Sequence, residues 1–389
     1  MGEATPTNVI IPDLFESFMS RPPKVNPQYE AVKDAALVWA SEVCGYDEEE
    51  AKKMRQGDFG YFAAVALPDA SPVKLRTVID WFNWLFVFDD QLDDGPLSFQ
   101  KEEACRYIDG TLALLDDTIP YQFNKSIQPI QKVIQDVWRR VRGDFNCSPG
   151  SQKRWLLHTK EYLEALRSSI DFVPLATLDE TVAGYLDYRI HTFAMLALFS
   201  FVEYSYELEI PEQIFKHPSI VHLEKIGIEI QIFVNDCVSY HREKDQNCPH
   251  NVIHLLRHHG FTEQGAYDKA HDMLRERYKE WYIAMAGLPV WGEKIDKEVQ
   301  RYIQGIQDVA IANVNWSFRT ERYFGKNRHQ VRETRMLNTG KVDWLPGVIL
   351  SETYGYEKAK ATNGVDREVA EPGFASLGTM AQIAEVIVV

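Results

Sequence analysis

One stretch of the chain limits the possible folds more than any other. Residues 74–94, KLRTVIDWFNWLFVFDDQLDD, run for 21 positions without glycine or proline and stop at Gly95-Pro96. The middle is apolar on nearly every side, the mark of a helix at the centre of a large helical protein rather than at its edge. Its C-terminal end carries Asp89, Asp90, Asp93 and Asp94. A helix dipole makes that end negative, so carboxylates there are disfavoured. They also repel in pairs, because Asp89 lies one turn below Asp93 and Asp90 below Asp94. A buried helix ending this way calls for a cation, and hard oxygen ligands on one face suit Mg²⁺.

Other long segments read as helical: 178–208, 218–243, 263–286 and 295–324. No series of short alternating runs with tight-turn dipeptides suggests a sheet. The expected fold is all-α, a single-domain helical bundle over 30–350. An irregular segment would precede it at 1–29 and a polar, mobile tail would follow at 351–389, unless either end folds over something.

A second polar cluster interrupts an apolar helical run in 224–245. Asn235, Ser239 and Glu243 stand four residues apart on one face, each with an oxygen to offer. Asn and Ser are weak helix formers in such a place, and a ligand role explains their use. Cations lie in the neighbouring segments: Arg189, Lys244 beside Glu243, and Arg322 next to Tyr323. A guanidinium matches phosphate with two donors at once. Two Mg²⁺-type clusters with several phosphate donors describe a diphosphate site.

Charge and composition narrow the partners. The 389 residues carry a net charge of −15, a poor starting point for nucleic-acid binding. The longest apolar run, 193–202, is about half of the roughly 20 residues a membrane span needs. No basic region followed by an apolar core opens the sequence. Five scattered cysteines without a CxxC pair fit a reduced, cytoplasmic setting. His250, His254 and His258 recur at helical spacing, but without an HExxH pattern they read as a histidine face rather than a metal site. Asp116-Asp117 reads as loop surface.

These residues resemble those of class I terpene cyclases of the microbial, fungal type. DDQLD at 89–93 is similar to the aspartate-rich motif of that family, and NDCVSYHRE at 235–243 to its NDxxSxxxE motif. Arg189 stands 46 positions before Asn235, where the family places a diphosphate-sensing arginine. Trp316 to Arg322-Tyr323 is similar to the family's Wx5RY ending, and 250–266 to the helix after the second motif.

The resemblance implies a helical fold with a central cavity and a lyase that ionises a prenyl diphosphate, most simply farnesyl diphosphate, and cyclises the cation to a sesquiterpene hydrocarbon or alcohol. It implies that Asp89 and Asp93 bridge Mg²⁺ ions, that Asn235, Ser239 and Glu243 hold a third, and that Asp90 pairs with Arg322 on closure. Arg189, Lys244, Arg322 and Tyr323 would grip the diphosphate. Thr192 would be the linker after the sensor. Phe193 stands where the family often has a glycine that breaks the helix. Phe82 and Phe86 lie on the arc of Asp89 and, with Trp316 and Phe62, are candidates to face the cation. Family members are monomers or homodimers. Alternatives are a diterpene cyclase using geranylgeranyl diphosphate, a chain-elongating prenyltransferase, and a non-catalytic Mg²⁺-binding helical protein. The prenyltransferase would need a second DDxxD, which is absent here.

Overall fold

A computed structural model describes residues 8–116, 128–170, 181–245, 250–338 and 345–349. The first half of the bundle comprises α1 (Tyr29–Cys44), α2 (Glu48–Gly57), α3 (Phe59–Ala66), α4 (Pro72–Asp93), α5 (Lys101–Leu114), α6 (Pro129–Gly143) and α7 (Pro149–Ser169). The second half comprises α8 (Val182–Thr192), α9 (Met195–Tyr206), α10 (Glu212–Phe215), α11 (Pro218–Asp245), α12 (Val252–His258), α13 (Glu263–Ala286), α14 (Glu293–Ser317) and α15 (Arg328–Thr334).

The apolar helix read from the sequence is α4, and it lies at the centre. Pro72 takes its first position and the Ser71 hydroxyl accepts the Lys74 N–H, a standard start. Its flanks meet α1, α3, α6 and α9, and Trp81, Phe82, Trp84 and Phe88 are wholly buried. It ends where the Gly95 N–H turns back to the Asp90 carbonyl at 2.9 Å. A Cβ at Gly95 would sit 2.7 Å from the Gln91 carbonyl oxygen, so only glycine fits that reversal. Opposite α4 stands α11, packed between α13 and α14.

Three departures from the sequence reading shape the site. First, 178–208 is two helices, broken between Thr192 and Met195. Second, α14 ends at Ser317, short of 324. The Arg319 and Thr320 N–H groups both return to the Trp316 carbonyl, and the Thr320 hydroxyl accepts the Arg322 N–H. This turn folds Arg322 and Tyr323 back toward Trp316; six more helical residues would have carried them about 9 Å along the axis.

Third, the N-terminal segment is not a loose end from Asn8 onward. Strand β1 (Asn8–Ile10) pairs antiparallel with β2 (Met336–Asn338), with Val9 opposite Leu337. Ile11, Leu14, Phe18 and Met19 are buried against the bundle. The expected tail, 351–389, lies outside the described residues, as do Asp117 and Cys248. Asp116 is exposed. Among the described residues no helix is long and apolar enough to cross a membrane.

Candidate active site

Residues 82, 86, 89 and 93 are spaced four, three and four apart, which aligns them along one stripe of α4. That stripe forms one wall of a cavity of about 90 Å³. Phe82 and Phe86 line its depth; Asp89 and Asp93 line its mouth. Trp316 lies 4.9 Å from Phe86 and Phe62 lies 4.6 Å from Phe82, centroid to centroid, closing an aromatic floor. The other aromatics upstream of Asp89 do not line it. Trp81 packs on Phe201, while Trp84 packs on Phe88 and Phe88 on Tyr107.

The facing wall is α11. Asn235 and Glu243 line the cavity, and Asn235 donates to the Tyr323 hydroxyl at 3.2 Å. Ser239 is buried just behind them. Asp236, which the sequence reading gave no role, is a structural tie. Its carboxylate accepts the Tyr185 hydroxyl of α8 at 2.6 Å and the Val252 N–H of α12 at 2.7 Å. Burial, reinforced by Glu243 and opposed by Arg189, pushes its pKa up to about 7.

The break between α8 and α9 forms where the resemblance places it, by another means. Phe193 keeps an ordinary φ of −103°, and Ala194 takes the left-handed conformation at φ 57°. The residue after Phe193 thus does what a glycine would do more easily. The Thr192 carbonyl accepts from Arg189 Nη1 at 3.4 Å, and the Arg189 guanidinium lies 4.9 Å from the Phe193 ring. Arg189, Thr192, Phe193 and Ala194 all line the cavity.

Lys244 does not join them. Its ammonium lies 3.8 Å from Glu263 on α13, beside the Tyr240 ring, and is not among the lining groups. Arg242 takes the place expected of it, lining the cavity and donating to Asp94 at 2.8 Å. The signal was in the spacing. At about 100° per residue, position 242 falls about 20° from Asn235 around the helix, whereas 244 falls about 180° away. Tyr162, Met195 and Asn313 also line the cavity without having been anticipated.

Two regions therefore meet in one cavity. The floor is aromatic, and the mouth is lined by oxygen-bearing side chains and by Arg189, Arg242 and Arg322. Loss of water around Asp89 raises its carboxyl to about 6, with Asp90 adding to the rise and Arg189 and Arg322 opposing it. Asp93 opens onto the cavity and is exposed there, although dense protein surrounds its approach. Desolvation and the charges of Asp89 and Asp94 hold it well above the usual carboxylate range. Both walls would be relieved by positive charge. Their donors are all oxygen, a set that fits Mg²⁺. Among the described residues no three acidic, histidine or cysteine side chains converge on one point. Oxygen groups so sparse on each wall fit an ion that completes its shell with water and phosphate oxygens. Of the histidines at helical spacing, His250 and His254 are half-buried and His258 is exposed.

The mouth carries a strap. Leu345 donates its N–H to the Glu321 carbonyl at 3.0 Å. The Val348 N–H donates to Asp90 Oδ2 at 2.9 Å, and Gln91 Nε2 donates to the Val348 carbonyl at 2.8 Å. Gly347 lies flat on the Asp90 carboxyl, where a Cβ would sit 2.7 Å from Cγ. Sequence reading treated this segment only as the end of the domain.

The profile described as Terpene synthase family 2, C-terminal metal binding, matches residues 80–280. Silphinene synthase of Penicillium patulum is 34% identical over 86% of this chain and 91% of its own length. The (+)-eremophilene synthase of Gibberella fujikuroi is 34% identical over 88% and 96%. Cycloaraneosene synthase of Sordaria araneosa is 35% identical over 85% and 90%. Among solved structures, wild-type cucumene synthase superposes with a TM-score of 0.65 at 20% identity, over 76% of this chain and 98% of that one. Germacradien-4-ol synthase from Streptomyces citricolor superposes at 0.64 and 20%, over 76% and 95%. These two likenesses establish the fold.

Proposed function

The chain belongs to the terpene synthase family, and we propose that it ionises farnesyl diphosphate and closes the resulting cation into a cyclic sesquiterpene, hydrocarbon or alcohol. The observation that carries this reading is the two-part cavity: phosphate-binding chemistry at the mouth, aromatic rings at the floor, and Asp89 on the boundary.

In this reading Asp89 and Asp93 on one wall and Asn235, Ser239 and Glu243 on the other hold Mg²⁺, three ions in the closed complex. The metal supplies positive charge where the leaving group becomes negative. Arg189, Arg242, Arg322 and the Tyr323 hydroxyl donate to the diphosphate oxygens. The carbon–oxygen bond breaks, its electron pair leaves with the diphosphate, and an allylic cation remains over the floor. Phe82, Phe86, Trp316 and Phe62 turn ring faces toward it, each worth roughly 1–2 kcal/mol in a dry site. Asp90, engaged with Arg322, acts on the closure of the mouth rather than as a metal ligand, and Thr192 and Phe193 aim Arg189. Closure keeps water from quenching the cation early. The four described cysteines are free thiols, which suits a cytoplasmic enzyme.

The test is incubation of purified protein and Mg²⁺ with the C10, C15 and C20 prenyl diphosphates, followed by gas chromatography–mass spectrometry of the extracts. A cyclic C15 product, lost in Asp89→Ala and Asn235→Ala, is the expected result. Product from the C20 substrate alone would replace farnesyl by geranylgeranyl diphosphate. Absence of turnover of all three would refute the proposal.

A further inference from the structure

Asn251 has no solvent exposure and sits at the start of α12, outside the cavity lining and, though within the stretch 250–266, without a role of its own so far. Its carboxamide faces two ways. Oδ1 accepts the Ile253 N–H at 2.8 Å, which caps the helix. A backbone N–H can only donate, so this bond fixes the amide orientation and turns Nδ2 toward α11. There Nδ2 lies 2.8 Å from Glu243 Oε2, 3.3 Å from Ser239 Oγ and 3.0 Å from the Asp236 carbonyl.

Two N–H groups are thus shared among three acceptors, two of which are side chains of the Asn235/Ser239/Glu243 set. The shortest contact holds one oxygen of Glu243 and leaves Oε1 available. Capping alone does not explain an asparagine here. Serine, threonine or aspartate would serve as well, and none presents a neutral two-hydrogen donor. The donor side is the part that only the amide supplies, and it points at the ligands.

We propose that Asn251 is a positioning residue for the second metal half-site. It holds Glu243 and Ser239 in ligating orientation before any ion arrives. The inference rests on the reading that Ser239 and Glu243 hold Mg²⁺. Groups that orient metal ligands in this way typically alter affinity 10–100-fold when removed. The tie also joins the half-site to α12, which Asp236 already bolts to α8 and so to Arg189.

The experiment uses the full chain with Mg²⁺ and inorganic diphosphate, read by titration calorimetry and by the rise in melting temperature, alongside the Mg²⁺ dependence of turnover. Asn251→Ser and Asn251→Thr keep a capping oxygen and lose the donor. Either should raise the half-saturating Mg²⁺ at least about tenfold, with the metal-free melting temperature nearly unchanged. The double variant Asn251→Ser/Glu243→Gln should lose less than the sum of the two single losses, because Asn251 acts partly through Glu243. Wild-type Mg²⁺ binding in both capping variants, with binding weakened in Glu243→Gln, would overturn the role of Asn251. Undiminished binding in Glu243→Gln itself would overturn the metal reading beneath it. If the capping variants do not fold, the Asn251 side-chain amide resonance decides: a shift on adding Mg²⁺ with diphosphate to the wild-type protein that is absent in Glu243→Gln counts for the proposal, and an unmoved resonance in the wild type counts against it.

Discussion

Arg322 grips Asp90 with two parallel contacts, Nη2 to Oδ1 at 2.6 Å and Nη1 to Oδ2 at 3.2 Å, and both side chains are almost wholly out of water. The pair joins the end of the central helix to the turn after α14, across 232 positions of sequence. The fork geometry belongs to arginine, so Arg322→Lys keeps the charge and loses the second contact. Turnover should fall roughly 10–100-fold with little change in melting temperature. Asp90→Ala leaves a buried guanidinium unpaired and should cost about 3–5 kcal/mol in denaturant unfolding. A stable Asp90→Ala protein would show that the pair is not held in the free enzyme.

The opposite placements of Arg242 and Lys244 make a paired prediction. Arg242→Ala removes a cavity-lining cation and orphans Asp94, and kcat/KM should drop at least about tenfold. Lys244→Ala should stay within about twofold, since its ammonium faces Glu263. Steady-state kinetics of the two variants side by side decides whether the cation before or after Glu243 serves the substrate.

Phe82→Leu and Phe86→Leu should redistribute products while diphosphate release stays within about tenfold of wild type, the scale of one ring face. Trp84→Leu offers the contrast, because Trp84 is buried away from the cavity. It should lower stability by a few kcal/mol and leave the product pattern alone. Product analysis and unfolding curves on the same three proteins separate the two kinds of aromatic.

Ala194 carries the turn that aims Arg189. Ala194→Gly should retain turnover and gain up to about 1 kcal/mol, since glycine takes φ 57° without strain. Ala194→Val places a β-branched residue where it fits worst and should cut kcat at least about tenfold through misplacement of Arg189. Equal activity in both would show that the break is not needed.

Burial holds four histidines below their ordinary range: His158 to about 4, His250 to about 4 with Arg189 adding to the fall, His241 to about 3 with help from Lys244, and His254, with His258 and Arg257 adding to the fall. Each binds fewer protons folded than unfolded, so stability rises with pH across that interval. It should be intact above pH 6.5 and decline as pH falls from 6.5 toward 4. His241 is buried with an unpartnered Nδ1, so His241→Phe should flatten the acid limb of a melting-temperature profile. An unchanged limb would place the acid sensitivity elsewhere.

Periodicity alone revealed the central helix. A run of 21 residues without a breaker, apolar through its middle and ending in carboxylates, fits a buried helix that meets a cation and little else. The two oxygen-bearing walls and the aromatic pair on α4 were legible for the same reason, since each is a matter of spacing along one helix, whereas Arg189, on a different helix from Asn235, was picked out by the family resemblance. What stayed hidden depends on contacts between segments. The turn at Thr320 that returns Arg322 is set by hydrogen bonds to Trp316, the break at Ala194 by a left-handed alanine that no propensity favours, and the strap by a backbone N–H without a side-chain signature. Lys244 adjoins Glu243 in sequence but falls on the far side of α11, whereas the helical angle brings Arg242 to the cavity. The packed N-terminal segment was missed because strand β1 is three residues long and finds its partner more than 300 positions later.

The strap also bears on the order in which the enzyme comes into being. Asp90 leaves the ribosome 258 residues ahead of Val348, its backbone donor. At about 5–20 residues per second that is roughly 13–50 s of synthesis. Throughout that interval the nascent chain has its first carboxylates but not the segment whose backbone holds Asp90. A catalyst that makes reactive cations gains from such an arrangement: a segment translated late completes the hydrogen bonding of the first motif to appear, so a chain cut short before Val348 carries that motif with Asp90 still unfinished.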